Sequence, residues 1–169
     1  AALFFALCLL LPMLTGQIPQ IGSMLLPMHI PVLLCGLVCG WQYGAAVGFV
    51  APLLRSVLFG MPPMYPVAIA MAFELLTYGL VIGLVYRRMA QKGAAGVYAA
   101  LLTAMVAGRL VWGVAEVVLL GLGGKTFTAQ AFLAGALLNA VPGIIVQLVL
   151  IPAVMAALQK AGAVKEYAE

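Results

Sequence analysis

The stretch MHIPVLLCGLVCGWQYGAAVGFVAPLLRSVLF, Met28–Phe59, poses the question on which the fold turns. It is apolar almost throughout, and GWQYG divides it into a segment from Met28 to Gly40 and another from about Tyr43 to Phe59. The first segment has 13 residues, about 20 Å of helix at about 1.5 Å per residue, whereas a bilayer core is about 30 Å thick. A segment of that kind has to be re-entrant, strongly packed, or continued by the loops beside it. The second segment is long enough to cross.

Working outward, the same character extends over the whole chain. Of 169 residues, 66% are hydrophobic and 7% are charged, and the mean hydropathy is +1.23. No soluble domain of this size has enough interior to hide so much apolar surface. Turn signals separate six apolar segments, at 1–14, 28–40, 43–59, 67–86, 96–121 and 129–158. The expected fold is therefore all-α, one integral-membrane domain over 1–169 with six transmembrane helices and a short second helix. GMPPMYP, Gly60–Pro66, holds three prolines and ends a helix outright. The opening AALFFALCLLLPMLTG has neither a basic n-region nor a small-residue cleavage site, so it is expected to be a first membrane helix whose start precedes Ala1.

Charge gives the orientation. Eight Lys and Arg face four Glu, with no Asp. With a cytoplasmic N-terminus, the inner loops and tail carry Arg87, Arg88, Lys92, Lys160 and Lys165, and the outer loops carry Lys125 alone. The positive-inside rule then places both termini in the cytoplasm. No basic stripe with interleaved aromatics is present, so a nucleic-acid partner is not expected. Cys8, Cys35 and Cys39 lie in apolar runs with no metal-binding company, and are expected to be buried thiols. No metal or cofactor is expected.

Ionisable groups at membrane depth are costly and mark functional positions. Here they are Arg55, Glu74, Arg109 and Glu116. Arg109, Trp112 and Glu116 share one helix face, Glu74 and Tyr78 share another, and Asn139 and Gln147 add neutral hydrogen-bonding groups to the last helix. Two readings stand side by side. In one, two Glu–Arg pairs neutralise each other and fix packing. In the other, Arg55 or Arg109 meets an anionic group while Trp112 stacks on the rest of a ligand. His29, the one histidine, is placed at the outer rim, either as a latch hydrogen-bonding the outer loops or as a rim contact to ligand. Catalytic signatures are lacking, with no HExxH, GxSxG or Walker lysine, so no catalytic residue is assigned. Three roles fit such a chain: a capture subunit powered by a partner, an autonomous facilitator or channel, and a ligand-free structural subunit.

LLPMHIPVLLCGLVCGWQYGAAVGFVAPLLRSVLFGMPPMYPVAIAMAFELLTYGLVIGLVY, Leu25–Tyr86, and NAVPGIIVQLVLIP, Asn139–Pro152, resemble the substrate-binding S-components of energy-coupling factor (ECF) transporters. The resemblance covers essentially the whole chain. It implies a prokaryotic plasma-membrane protein that captures a water-soluble vitamin or related micronutrient from outside. Its implied partners are a transmembrane coupling protein and two ABC ATPases, which supply the energy this chain has no site for. It further implies a ligand in the outer half, lined here by Glu74, Tyr78, Arg109, Trp112, Glu116 and Asn139, with Arg55 close beneath. The capping loops would be Thr15–Pro27 and Gly60–Pro66. An A-x-x-x-A face, Ala2 and Ala6, would dock on the coupling protein. Pantothenate suits Arg side chains with a single Trp in the site; cobalamin, folate and a queuosine-type base are the alternatives.

Overall fold

The computed structural model describes residues 1–14, 27–89 and 92–164. These form helices α1 (Ala2–Leu14), α2 (His29–Val38), α3 (Trp41–Phe59), α4 (Ile69–Met89), α5 (Ala94–Leu122), α6 (Ala129–Leu133) and α7 (Val141–Lys160). A π turn, Met64–Ala68, leads into α4, and another, Ala134–Leu138, follows α6. No strand occurs among the described residues. Four stretches are long and apolar enough to cross a membrane: Trp41–Phe59, Met64–Met89, Ala94–Leu122 and Ala129–Lys160. With the shorter apolar helices α1 and α2 they make up the six expected segments.

The helix breaks show how local chemistry sets the boundaries. GWQYG is not a loop. Gly40 alone makes the turn, at φ +96°, so α3 begins at Trp41, earlier than expected. At the other end of α3, Gly60 adopts a left-handed conformation and donates its N–H to the Ser56 carbonyl. The fourth helix runs on past Tyr86 to Met89, with Arg87 and Arg88 in its last turn, where cations complement the helix dipole. The sixth segment departs most from expectation. In place of one helix over 129–158, α6 and its π turn give way at Asn139 and Ala140 to a new helix, α7. Pro142, in the first turn of α7, has no N–H to continue an older ladder, and is at home where a helix starts.

Packing centres on α4, which runs along α3 on one side and α5 on the other, while α2 lies across α3 and α4. Backbones meet closely where α2, α3 and α4 cross. A Cβ at Gly44 would lie 2.7 Å from Gly36 Cα and 2.9 Å from the Gly79 carbonyl oxygen. Glycine is what lets three helices share that point. One stripe of α4, Glu74, Tyr78, Ile82 and Tyr86, is buried over its whole length. On α7, Gly143, Gln147, Ile151 and Met155 form a buried stripe of the same spacing. Elsewhere the surface is apolar: Leu102, Val106, Leu110, Val114 and Val117 line an exposed face of α5. Hydroxyls at this depth turn back on their own helices, Thr77 donating to the Phe73 carbonyl (2.8 Å) and Thr103 to the Ala99 carbonyl (2.7 Å).

Candidate functional site

α2 is ten residues long, so the bundle must submerge one of its ends. His29, its first residue, is 1% exposed and faces α4. Its Nε2 lies 3.4 Å from Glu74 Oε1, and its ring meets Tyr78 edge-on, with centroids 5.0 Å apart at 77°. The sequence reading puts it at the outer rim, as a latch or a ligand contact; its side chain packs against Glu74 and Tyr78 of α4 rather than facing solvent. A helix too short to span begins inside the bundle, and its first side chain finds a buried carboxylate where water would otherwise be.

Glu74 is 1% exposed, and Arg109 from α5 brings Nη1 to 3.0 Å from the same Oε1. The close approach of α4 and α5 here depends on Gly108, since a Cβ there would lie 2.8 Å from the Tyr78 ring. Four of the residues singled out from sequence, His29, Glu74, Tyr78 and Arg109, thus converge from three helices. Their polar groups are incompletely satisfied. Arg109 Nε and Nη2, both ring nitrogens of His29 and Glu74 Oε1 are buried without a hydrogen-bond partner, as is Gln147 Nε2 on α7, and groups in that condition usually meet a ligand or an ordered water.

The other candidates fall elsewhere. Of the two Glu–Arg pairs, only Glu74–Arg109 forms. Arg55, 3% exposed, donates Nη1 to the Leu9 carbonyl (2.7 Å) and lies 5.3 Å over the Phe59 ring. Pro12 lacks the N–H that would bond the Cys8 carbonyl, so Arg55 braces α1 beside an interrupted ladder. Glu116 is 7% exposed and makes no ion pair among the described residues. Asn139 is exposed, in the turn before α7. Ala2 and Ala6 are both exposed on α1.

Trp112 lies under Arg109, 5.9 Å from the guanidinium carbon, and is flanked by two aromatics that sequence reasoning missed. Phe132 stacks on it (6.1 Å, 26°) and Phe127 meets it edge-on (5.7 Å, 86°). The missed signal was the pair of phenylalanines bracketing the start of the sixth segment. The Gly60–Pro66 loop is tied to α5, Tyr65 donating its hydroxyl to the Leu119 carbonyl. Of the first capping loop, residues 15–26 lie outside the described residues. An open groove lined by Phe73, Leu110, Val111, Val114, Ala115, Val118 and Leu119 is wholly apolar and includes none of the expected site residues.

No curated protein and no solved structure matches the chain. A family model described as "ECF transporter, substrate-specific component" matches residues 1–157, from before α1 into the last turn of α7. The match takes in every member of the buried cluster, three of the four membrane-length stretches whole and the fourth as far as residue 157. The chain belongs to the substrate-specific components of ECF transporters, membrane-embedded transporter subunits rather than enzymes.

Proposed function

We propose that this chain captures a water-soluble vitamin or related micronutrient from the outer side of a prokaryotic plasma membrane and releases it inward when docked on its coupling module. The observation that carries this reading is the cluster of His29, Glu74, Tyr78 and Arg109, with several buried polar atoms left without partners. Burying polar groups without partners costs free energy. A bundle that keeps them open at membrane depth is suited to a ligand that fills them. Glu116 and Trp112, on the same helix as Arg109, extend this site outward. Asn139 and Arg55 belong to its periphery, Arg55 by holding α1.

Pantothenate is the favoured substrate, with cobalamin, folate and a queuosine-type base as alternatives. The coupling protein meets the exposed Ala2–Ala6 face of α1, the two ATPases provide the energy, and both termini are cytoplasmic. The test is calorimetric titration of the purified protein with a panel of vitamins. Binding at micromolar affinity or tighter, without ATPase activity, is expected. Millimolar or weaker affinity for every member of the panel would sink the reading. Uptake by this chain alone in liposomes would replace it with a facilitator.

A further inference from the structure

We infer that the free edge of Arg109 and the side-chain amide of Gln147 together clamp a carboxylate of the captured molecule, which makes Gln147 a binding residue and the substrate class a carboxylic acid. This rests on the substrate-capture reading and sharpens it.

The guanidinium of Arg109 is only half used. Its Nη1 goes to Glu74, at 3.0 Å, while Nε and Nη2 are buried and have no partner. Those two nitrogens form one side of the planar fork, the side whose parallel N–H bonds match the two oxygens of a carboxylate. Glu74 occupies the opposite side and so fixes the plane in which the free edge points. Trp112 lies along that plane's flank, 5.9 Å from the guanidinium carbon.

Gln147 is drawn into the same layer by register. Gln159 Nε2 on α7 donates to Tyr86 Oη on α4, 3.3 Å away, which aligns the two helices. Counting back from that contact, Gln147 is twelve residues along α7 and Glu74 twelve residues along α4. Both therefore stand about 18 Å up the bundle at about 1.5 Å per residue. α7 also packs against α2 and α5, which supply His29 and Arg109. Gln147 is 1% exposed, and its Nε2 has no partner.

Of the unfilled atoms, Arg109 Nε and Nη2 and the Gln147 amide nitrogen are donors, the two His29 ring nitrogens donate or accept according to tautomer, and Glu74 Oε1, already ion-paired with Arg109, is the acceptor. A water offers two lone pairs, whereas a carboxylate offers about four in one plane. A group of that shape satisfies donors converging from two helices at once. A neutral hydroxyl in its place would leave part of the guanidinium edge bare.

The test uses the full chain in nanodiscs, titrated with pantothenate and folate as acids, and with pantothenol, thiamine and riboflavin as vitamins or analogues without a carboxylate. Pantothenol keeps the body of pantothenate and replaces its carboxylate by an alcohol. The expected result is that at least one acid binds at micromolar affinity or tighter and the three others at least a hundredfold more weakly. Arg109→Lys, which keeps the charge for Glu74 but loses the fork, and Gln147→Leu should each weaken acid binding at least tenfold. Gln147→Met, of similar length, serves if the leucine variant does not fold. Pantothenol, thiamine or riboflavin binding as tightly as the acids overturns the inference and leaves the capture reading standing. So does acid affinity within twofold of the parent in a folded Gln147 variant. Binding by none of the five overturns the inference, and the capture reading falls with it if cobalamin and a queuosine-type base also fail to bind.

Discussion

Glu74 is the residue on which the interior charge balance depends. Among the described residues it is the one carboxylate paired with both Arg109 and His29, so Glu74→Gln would leave a buried guanidinium without its counter-ion. Removing one partner of a buried pair typically costs about 3–5 kcal/mol, because the remaining charge is stranded. The variant is therefore expected to unfold well below the parent in detergent, and Glu74→Gln with Arg109→Gln together to recover much of the loss. A double-mutant thermal-unfolding cycle checks this, and additive losses would contradict it. Arg55 makes a different kind of contact, a charged donor on the Leu9 carbonyl. Arg55→Met keeps the apolar stem but loses that bond, at a cost of about 1.5–3 kcal/mol. Substrate affinity in this variant should stay within a few-fold of the parent, since its guanidinium is turned to α1. A calorimetric titration with pantothenate alongside thermal unfolding separates the two effects. Sequence alone showed which ionisable residues lie at depth. It did not show which of them pair, because helix-face arithmetic relates residues on one helix and says nothing of how helices rotate against each other. That is why Arg55 and Arg109 were equivalent candidates until the neighbours Leu9 and Glu74 distinguished them.

At the scale of elements, small residues decide how near the helices come. Gly44 and Gly48, and Gly79 and Gly83, are each four apart, a spacing that lets helix backbones approach, and a side chain at any of the four would run into a neighbouring backbone. Gly40, four residues after Gly36, serves instead as a turn, since its positive φ is what separates α2 from α3. Gly44→Ala would press a methyl to 2.7 Å from Gly36 Cα, where no flexible side chain can yield. Overpacking of this kind costs about 1–3 kcal/mol. Gly121→Ala meets nothing within 4 Å inside α5, and there alanine gains about 0.5–1 kcal/mol of helix propensity. Thermal unfolding of the two variants should move in opposite directions; the same direction for both would show that crossing distance is not what these glycines control. The depth of α2 was not legible. Its shortness could be read from Met28–Gly40, but which end sinks depends on partners in α4 and α5, far along the chain. His29 reads from sequence as a rim residue, and the side chains that bury it, Glu74 and Tyr78, lie far along the chain. The break at Asn139–Ala140 was also missed, because one proline at Pro142 is compatible with either a kinked helix or a new one.

For the molecule as a whole, the buried cluster is carried by α2, α4 and α5, and the proposed docking face by α1. α1 packs inward on α2 and α3, with Cys8 buried and its Sγ 3.8 Å from the Met28 carbonyl. Its other side presents Ala2, Ala6, Leu3 and Leu10 to the surroundings. Small residues on such a face allow a partner helix to approach closely, and a large ring there would hold it off. Ala6→Trp adds bulk outside the bundle and touches nothing in the His29–Glu74–Arg109 cluster. Titration with pantothenate should accordingly give an affinity within twofold of the parent. Uptake of labelled pantothenate by cells that also carry the coupling protein and ATPases should fall at least tenfold, since capture without docking yields no release. Ala6→Gly, which keeps the face small, should restore transport to near the parent rate. Undiminished uptake in Ala6→Trp would move the docking face elsewhere, whereas an equal loss of binding would mean that α1 shapes the site itself, through the Arg55 brace on Leu9.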